Sequence, residues 1–381
     1  MAGAANVTGA GGAVTRLVLT DFRVDARPVV LAGPNGAGKT NILEAISLLS
    51  PGRGLRGVEL AEAGRAGPGE TPRAWALAAA IEANGIETLI GTGLIAGEDG
   101  RLKRTVRING APAKSANELA GHLRLLWLTP AMDRLFIEGA SGRRRFLDRL
   151  VLSRDAAHGS RVAAYEKAMR ERMALLRDGR GDASWLAGLE EQMAETGIAA
   201  AAARADTLAR LASVMEEAAG AFPIADLALM GDADAWLAEG TALAAEDRLR
   251  DALARSRGRD AEAGRTLVGP HRSDLVVRHR AKGRVAGECS TGEQKALLIA
   301  IILAAARADA STGQSAPVLL LDEIAAHLDP MRRAALYDAI DALGVQAWMT
   351  GAELGIFDSL RGRARVFTVA AGRVTPAAGE S

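Results

Sequence analysis

The sequence predicts an α/β fold in which a mixed sheet is flanked by helices and joined to an antiparallel subdomain, with a helical arm inserted into the chain. Three observations lead to this prediction. A glycine-rich loop at residues 33–40 follows an apolar run and opens into a helical pattern. A second apolar run, at 318–321, ends in two carboxylates. Between these segments lies a long stretch rich in Ala, Leu, Glu and Arg at helical spacing.

The glycine-rich loop has the residue types that a phosphate-binding loop needs. It fits G-x-x-x-x-G-K-[ST] between a strand pattern and a helix pattern, so that glycine-freed N–H groups and the helix N-terminus converge on one point. Lys39 would reach the β- and γ-phosphates, and Thr40 would offer its hydroxyl to Mg²⁺. A structural turn before a helix is the alternative, which the full pattern in this context disfavours. The predicted nucleotide-binding residues here are Gly33, Asn35, Gly36, Gly38, Lys39, Thr40 and Asn41.

Composition limits the classes of function. The 381 residues allow about two to three domains. Lys plus Arg number 47 against 46 Asp plus Glu, so any nucleic-acid surface must be a local patch, and the 3% of aromatic residues argues against recognition by many stacked bases. A single cysteine, Cys289, excludes an intramolecular disulfide and a cysteine metal cluster. With neither a leader nor a long apolar run in the sequence, we expect a soluble cytoplasmic protein that does not bind a membrane.

The predicted elements divide the chain into four parts. Residues 1–13 are mostly Gly and Ala and are expected to form a disordered tail. Residues 14–152 form the N-terminal part of a nucleotide-binding head, 153–263 a helical arm, and 264–381 the C-terminal part of the head.

Strand and helix patterns underlie this division. In the N-terminal part, strands are expected at 14–21 and 123–128, and three short strands at 75–81, 86–94 and 102–108 predict an antiparallel sheet. Ser141 is expected to cap a helix that runs to Leu152. Further along the chain we expect a long helix near 185–219, a linker at 258–264, strands at 266–268 and 275–277, and a helix at 296–306.

The acidic strand end suits the hydrolysis of a Mg²⁺-bound nucleotide. Asp322 can hold the metal through water, and Glu323 can polarise the attacking water. The alternative is a strand end whose aspartate caps the next helix. A second acidic residue directly behind the first is not needed for a cap.

The segment Ser290-Thr291-Gly292-Glu293 has two readings that are compatible with each other. Ser-x-x-Glu before an apolar helix is a capping box. In the same geometry, a serine hydroxyl and backbone N–H groups that the glycine leaves accessible lie together at a helix N-terminus, where they can bind an anion; we call this arrangement an anion clamp. Its position after a phosphate loop and before an acidic strand favours the clamp.

The ordered set of motifs resembles ABC-type ATPases: a phosphate loop, an S-x-G-[EQ] signature, an acidic strand, and a D-loop at His327-Leu328-Asp329. The resemblance implies an ABC-type P-loop ATPase head in which two heads meet face to face and each signature caps the γ-phosphate held by the other. Ser290, Gly292, Glu293 and Asp329 would then bind nucleotide across the dimer. Where many ABC ATPases carry a switch histidine, this chain has Thr350, which could contact phosphate but cannot act as an imidazole. A large insertion separates Lys39 from Ser290, and this arrangement is similar to that of the split heads of DNA-repair and chromosome proteins.

Within that branch the sequence resembles the RecF family of bacterial recombination mediators most closely. The resemblance covers residues 22–350 and implies ATP and Mg²⁺ as cofactors, slow DNA-dependent ATP hydrolysis, ATP-dependent dimerisation on double-stranded and gapped DNA, and promotion of RecA loading with RecO and RecR. The alternatives are an SMC-like head, an ABC-transporter-type head, or a nucleotide switch with no DNA function. The matching segments are Phe22-Arg23, the phosphate loop with Asn41-x-Leu43-Glu44-Ala45-Ile46, Gly52-Arg53-x-x-Arg56, Gly142-Arg143-Arg144-Arg145-Phe146-Leu147-Asp148, Gly269-Pro270-His271-Arg272-x-Asp274 and Ser290-Thr291-Gly292-Glu293-Gln294-Lys295.

Two groups of arginines are candidates for DNA contacts. Arg143, Arg144 and Arg145 form a run on one predicted helix, and Arg53 and Arg56 lie in a glycine-rich loop. The alternative is a solvated face or pairing with carboxylates of the same chain. With a net charge of +1, we expect sequence-independent, salt-sensitive binding to phosphates.

Overall fold

The computed structural model describes residues 24–64, 74–83, 85–97, 101–179, 182–217, 220–310, 317–325 and 328–377. The predicted tail at 1–13, the strand at 14–21, Phe22-Arg23 and His327 lie outside these residues. The chain forms two compact units, one comprising Met1–Met132 with Ala305–Ser381 and the other Asp133–Ala304. No helix in the described ranges is both long and apolar enough to cross a membrane.

The secondary structure is a mixture of short strands and longer helices. The strands are β1 Val29–Ala32, β2 Trp75–Ala83, β3 Ile86–Ala96, β4 Leu102–Ile108, β5 Ala111–Pro112, β6 Leu125–Leu128, β7 Ala225–Met230, β8 Asp274–His279, β9 Arg284–Val285, β10 Val318–Leu321, β11 Ala347–Gly351, β12 Arg365–Ala370 and β13 Arg373–Pro376. The helices are α1 Lys39–Ser47, α2 Ala140–Leu152, α3 His158–Asp178, α4 Ala183–Glu217, α5 Asp232–Glu239, α6 Ala242–Ala263, α7 Thr291–Ala310 and α8 Pro330–Leu343.

The first unit is built on a six-stranded mixed sheet in the order β13-β12-β1-β11-β10-β6. All neighbouring pairs are parallel except β12 and β13. The apolar sequences of β1 and β10 suit strands that are covered on both faces, and both are almost entirely buried. Because β1, β10 and β11 are parallel, the segments that follow them emerge at one edge of the sheet. These segments are the phosphate loop, Asp322-Glu323, and the end of β11 at Thr350.

A second sheet in this unit confirms the predicted antiparallel subdomain. It has the order β2-β3-β4-β5, and the turn at Asn109-Gly110 joins its last two strands. A period of two predicted β2, and two further short runs predicted β3 and β4. The predicted strand at 123–128 is also confirmed, as β6.

The second unit combines helices with a small antiparallel sheet, β7-β8-β9. Its core contains Met193 and Ile198 of α4 together with Leu249 and Leu253 of α6. A buried arginine links three of the helices: Arg172 of α3 pairs with Glu190 of α4 at 2.9 Å and with Asp260 of α6 at 2.7 Å. The long predicted helix near 185–219 is confirmed as α4.

Three local predictions in this unit are wrong. Ser141 does not cap α2, because the helix begins at Ala140 and the extended residue Gly139 occupies the cap position. The expected linker at 258–264 is the last part of α6, which ends with Gly264 in the left-handed conformation. No strand forms at 266–268, since the Leu267 N–H donates to Asp260 Oδ1 rather than to a neighbouring strand.

Candidate functional site

The phosphate loop is a closed turn at the end of β1. Lys39 is buried, and its Nζ donates to the carbonyl oxygens of Gly33 at 2.6 Å and Pro34 at 3.0 Å. Gly36 and Gly38 have φ of 80° and 104°, a region that favours glycine. A side chain at Gly33 has no room, because its Cβ would lie 2.1 Å from the Val369 carbonyl oxygen. The first turn of α1, which has no side-chain cap, offers its N–H groups to an anion.

The acidic strand end meets this loop directly. The Oγ1 of Thr40 lies 3.1 Å from each carboxylate oxygen of Asp322, although 282 positions separate the two residues. Among the residues that the structure describes, the side-chain partners of Asp322 are the hydroxyl groups of Thr40 and Thr350, which argues against the capping alternative. A hydroxyl and a carboxylate thus face each other beside the buried Lys39.

Thr350 lies behind this pair and is fully buried. Its Oγ1 donates to Asp322 Oδ1 at 2.7 Å and accepts the backbone N–H of Glu323 at 2.9 Å. Glu323 has a φ of 52°, which is rare for a residue with a side chain and typical of strained functional positions. The hydroxyl of Thr350 is therefore engaged by the two residues of the acidic pair.

The loop after α1 is held in place by residues that the sequence did not single out. Arg104 of β4 donates to the carbonyl oxygens of Gly52, Leu48 and Ser50 at 2.6, 2.7 and 2.9 Å, and its burial lowers its pKa. The basic residues of β4, Lys103, Arg104 and Arg107, have no regular spacing, so no local pattern marks Arg104 for this role.

The two candidate arginines of this loop have partners within the chain. Glu44 Oε2 accepts the backbone N–H of Arg56, and burial raises the pKa of Glu44. The Arg56 guanidinium donates to Asn41 Oδ1 at 2.7 Å, next to Thr40. Arg53 pairs with Glu59 at 2.7 Å, and both of these side chains are exposed.

The signature segment, in the second unit, forms the predicted capping box. The Ser290 N–H donates to Glu293 Oε2 at 3.0 Å, and the Glu293 N–H donates to Ser290 Oγ at 3.4 Å. A hydrogen bond from Lys282 and the Ser290 N–H lower the pKa of Glu293 to about 2. Gly292 lies in the first turn of α7. A serine hydroxyl and helix N-terminal amides therefore share one end of this helix.

Asp329, in the first unit, caps α8. Its side chain accepts the Arg332 N–H at 2.9 Å, and Pro330 occupies the first helical position.

The three consecutive arginines of α2 have different environments. Arg143 is bound by Asp274 at 2.7 and 2.9 Å, which raises its pKa, and this pairing agrees with the alternative reading of the run. Arg144 donates to the Ser273 carbonyl oxygen at 2.7 Å. Arg145 is exposed and has no ion pair among the described residues.

Known proteins resemble this chain over most of its length. The family model of the RecF/RecN/SMC N terminal domain matches residues 18–374. The chain is 55% identical over 371 residues to the DNA replication and repair protein RecF of Rhizobium etli, covering 95% of this chain and 98% of that protein. The chain belongs to the RecF family. RecF of Agrobacterium fabrum is 52% identical over 372 residues, again covering 95% of this chain and 98% of that protein.

Solved structures of the RecF family share its fold. The structure of the recombination mediator protein RecF-ATPrS in the RecFOR pathway aligns with a TM-score of 0.77 at 25% identity, covering 92% of each chain. The corresponding RecF-ATP structure aligns with a TM-score of 0.71 at 24% identity, also covering 92% of each chain. The predicted ABC-type ATPase head fold is thereby confirmed.

Proposed function

We propose that this chain is an ATP-dependent DNA-binding recombination and repair mediator, in which ATP drives two heads together on DNA and slow, DNA-dependent hydrolysis separates them. The observation that carries the proposal is the contact of Thr40 with both carboxylate oxygens of Asp322, beside the buried Lys39. It brings a phosphate loop and an acidic strand end together at one edge of a parallel sheet, where such folds bind nucleotides. Relatives named as DNA replication and repair proteins support the repair role.

The donor set fits a nucleotide-bound Mg²⁺. This ion is usually held by one or two protein oxygens, with phosphates and waters completing its ligands. The Thr40 hydroxyl and the Asp322 carboxylate supply two such oxygens, and no group of three or more His, Cys, Asp or Glu side chains suited to a metal occurs among the described residues. When bound, Mg²⁺ would neutralise charge on the β- and γ-phosphate oxygens.

Other residues of the chain would bind the phosphates, accept the proton and contact the nucleotide. Lys39 and the N–H groups of the phosphate loop would bind the phosphates and hold them in line for attack. Glu323 would accept a proton from the attacking water, with its backbone fixed by the Thr350 hydroxyl. Asn41, whose amide oxygen is bound by Arg56, would border the nucleotide.

We further propose that the signature acts on a second copy of the chain. Ser290, Gly292 and Glu293 form one end of α7. The Ser290 oxygen accepts the Glu293 N–H, so the hydroxyl hydrogen can donate to a terminal phosphoryl group together with first-turn amides. Asp329 would lie at the same dimer interface. This arrangement makes each hydrolytic site complete only when two heads meet.

Partners and location follow from the repair role. We infer partnership with RecO and RecR and promotion of RecA loading at gapped DNA, because a solved relative is described as a recombination mediator in the RecFOR pathway. We infer a cytoplasmic location for the same reason. The arginines Arg53, Arg56, Arg143, Arg144 and Arg145 remain candidates for phosphate contacts. Arg56 and Arg145 are both exposed and without an ion pair in the described ranges, but the Arg56 guanidinium already donates to Asn41. The division into a head at 14–152 and 264–381 with an arm at 153–263 also remains a proposal.

The proposed function is tested by the effect of DNA on ATP hydrolysis. Duplex and gapped DNA are expected to raise the rate of the full chain at low salt, and the stimulation is expected to fall steeply as salt increases. A transporter-type head would hydrolyse ATP at the same rate with and without DNA. Hydrolysis that no DNA substrate alters at any salt concentration would contradict the proposal.

A further inference from the structure

A pocket of about 230 Å³ lies within the second unit, between α2, α3, α4 and the turn Pro270–Arg272. It is smaller than the roughly 300–1,000 Å³ pockets that hold drug-sized ligands, so it suits a single phosphate with its sugar. Its polar lining includes Ser141, Arg144, Arg145, Arg204, Tyr165 and His271.

The base of the pocket is a fixed network. Arg204 is buried, and its guanidinium donates to Asp148 Oδ1 at 2.7 Å, to Asp148 Oδ2 at 2.9 Å and to the Pro270 carbonyl oxygen at 2.9 Å. His271 Nε2 donates to the Thr266 carbonyl oxygen at 3.0 Å, which leaves Nδ1 to accept the Tyr165 hydroxyl at 2.6 Å. The groups at the base are therefore held in position before any ligand arrives.

The charges in the pocket favour an anion. Three guanidinium groups, those of Arg144, Arg145 and Arg204, face only two carboxylates. Asp148 is already bound by Arg204 and by His158 at 2.8 Å, and Glu166 is half exposed and lies 3.8 Å from Arg170. The pKa of Arg144 is lowered by burial and by the positive charge of the neighbouring Arg204, so an anion bound here would relieve repulsion between the two guanidinium groups.

The mouth of the pocket carries the groups that remain available. Arg145 is exposed and has no ion pair in the described part of the chain. Ser141 lies in the first turn of α2, a helix of 13 residues whose N-terminus has no side-chain cap. Its hydroxyl and the first-turn amides add donors beside Arg145.

From this combination we propose that the pocket is a phosphate-binding site, separate from the phosphate loop, in which Arg145 and Arg144 bind the phosphate over the base formed by Arg204 and His271. The assignment to phosphate does not depend on the proposed function. Only the identification of the source as a DNA backbone phosphate rests on it.

Titration with inorganic phosphate tests the site itself. The full chain carrying Lys39→Ala, which weakens phosphate binding by the phosphate loop, is titrated with inorganic phosphate in a calorimeter. The same chain with Arg145→Ala added is titrated in the same way. Loss of one charge-assisted contact is expected to raise the Kd for phosphate about tenfold or more. The matched control is Arg255→Ala in the same background: Arg255 is on α6, is 72% exposed and lies outside the pocket.

Two results would overturn the proposal. One is the absence of phosphate binding by the Lys39→Ala chain, and the other is an equal Kd with and without Arg145→Ala. Because Arg145 is exposed and makes no ion pair within the described ranges, its replacement is expected to leave the thermal unfolding midpoint unchanged.

Duplex DNA identifies the source of the phosphate. If the pocket holds a backbone phosphate, Arg145→Ala is expected to reduce the slope of log K against log salt by about 1, while Arg255→Ala leaves it unchanged. An unchanged slope together with weakened phosphate binding assigns the site to a small phosphate ester. If the unaltered chain binds no DNA yet the phosphate titration depends on Arg145, the proposed function fails and the phosphate site stands.

Discussion

Thr350 donates a hydrogen bond from Oγ1 to Asp322 Oδ1 at 2.7 Å, and the same oxygen accepts the backbone N–H of Glu323 at 2.9 Å. One buried hydroxyl at the end of β11 thus joins both residues of the acidic pair at the end of β10. The neighbouring parallel strands place the three residues at one edge of the sheet. Thr350 therefore has the geometry of a positioning residue for the proposed metal ligand and the proposed base.

Replacing Thr350 by valine tests this positioning role. The shape is kept while the hydroxyl is lost, which leaves Asp322 Oδ1 and the Glu323 N–H without this partner. We expect kcat for ATP hydrolysis to fall about 10–100-fold, as when other supporting hydrogen bonds of a metal site are removed. Thr350→Ser restores the hydroxyl and should recover most of the rate. Equal rates for the valine and serine variants would show that the hydroxyl does not position the pair.

Replacing Glu323 by glutamine separates ATP binding from hydrolysis. The variant keeps the size of the side chain and loses the proton acceptor, so turnover is expected to fall about 10²–10⁴-fold. ATP binding and dimerisation should persist, because they depend on the phosphate loop and the signature. Light scattering in saturating Mg-ATP measures the dimer, with ADP as the control. A monomeric variant in Mg-ATP would contradict the proposed order of events.

The buried pairs of Arg172 predict a strong effect on the stability of the helical unit. Arg172, Glu190 and Asp260 are all essentially inaccessible to solvent. Arg172→Ala leaves two buried carboxylates short of a partner and should lower the free energy of unfolding by about 3–5 kcal/mol in urea denaturation. The matched control is Arg170→Ala on the same helix, where the side chain is 66% exposed. Its effect should stay within about 0.5 kcal/mol, and a similar small loss for Arg172→Ala would refute the prediction.

The lowered pKa of Asp148 leads us to expect that the free energy of unfolding depends on pH. Burial raises its pKa, but hydrogen bonds from His158 and Arg204 outweigh burial, so its pKa lies below the ordinary value. An acid with a lowered pKa stabilises the fold above its unfolded pKa of about 3.9, and this contribution is lost as the pH falls through the folded pKa.

The measurement compares Asp148→Asn with the unaltered chain by denaturation at several pH values. The difference in unfolding free energy should be largest near neutral pH and should shrink as the pH falls below about 4. Asp206→Asn, which removes an exposed pair with Arg210, provides the control. A constant difference across the pH range would exclude the proposed linkage.

The sequence predicted the parts of the fold that depend on local spacing. A period of two identified β2, and short runs identified β3 and β4. The motifs at Lys39, Asp322 and Ser290 could be found because each is contiguous. Arg104 could not be found in this way, since its carbonyl acceptors lie 52 to 56 positions earlier in the chain. Only the folded sheet brings β4 against the loop after α1.

Tertiary contacts also explain where local rules failed. Gly258 lies within α6, where the sequence predicted a linker, and the helix continues beside two anchored residues: Arg257 pairs with Glu190, and Asp260 pairs with Arg172. These contacts outweigh the low helix propensity of glycine. The bond from Leu267 N–H to Asp260 likewise replaces the strand expected at 266–268.

Lys39 and Ser290 of different copies are proposed to act on one phosphoryl group. The most direct measurement is ATP hydrolysis by an equimolar mixture of Lys39→Ala and Ser290→Arg chains, each of which is expected to be inactive alone. In a face-to-face dimer, half of the sites in a mixed pair are intact, so the mixture should recover up to about a quarter of the unaltered activity. A mixture that stays inactive, or a Ser290→Arg chain that hydrolyses ATP by itself at the full rate, would contradict the account.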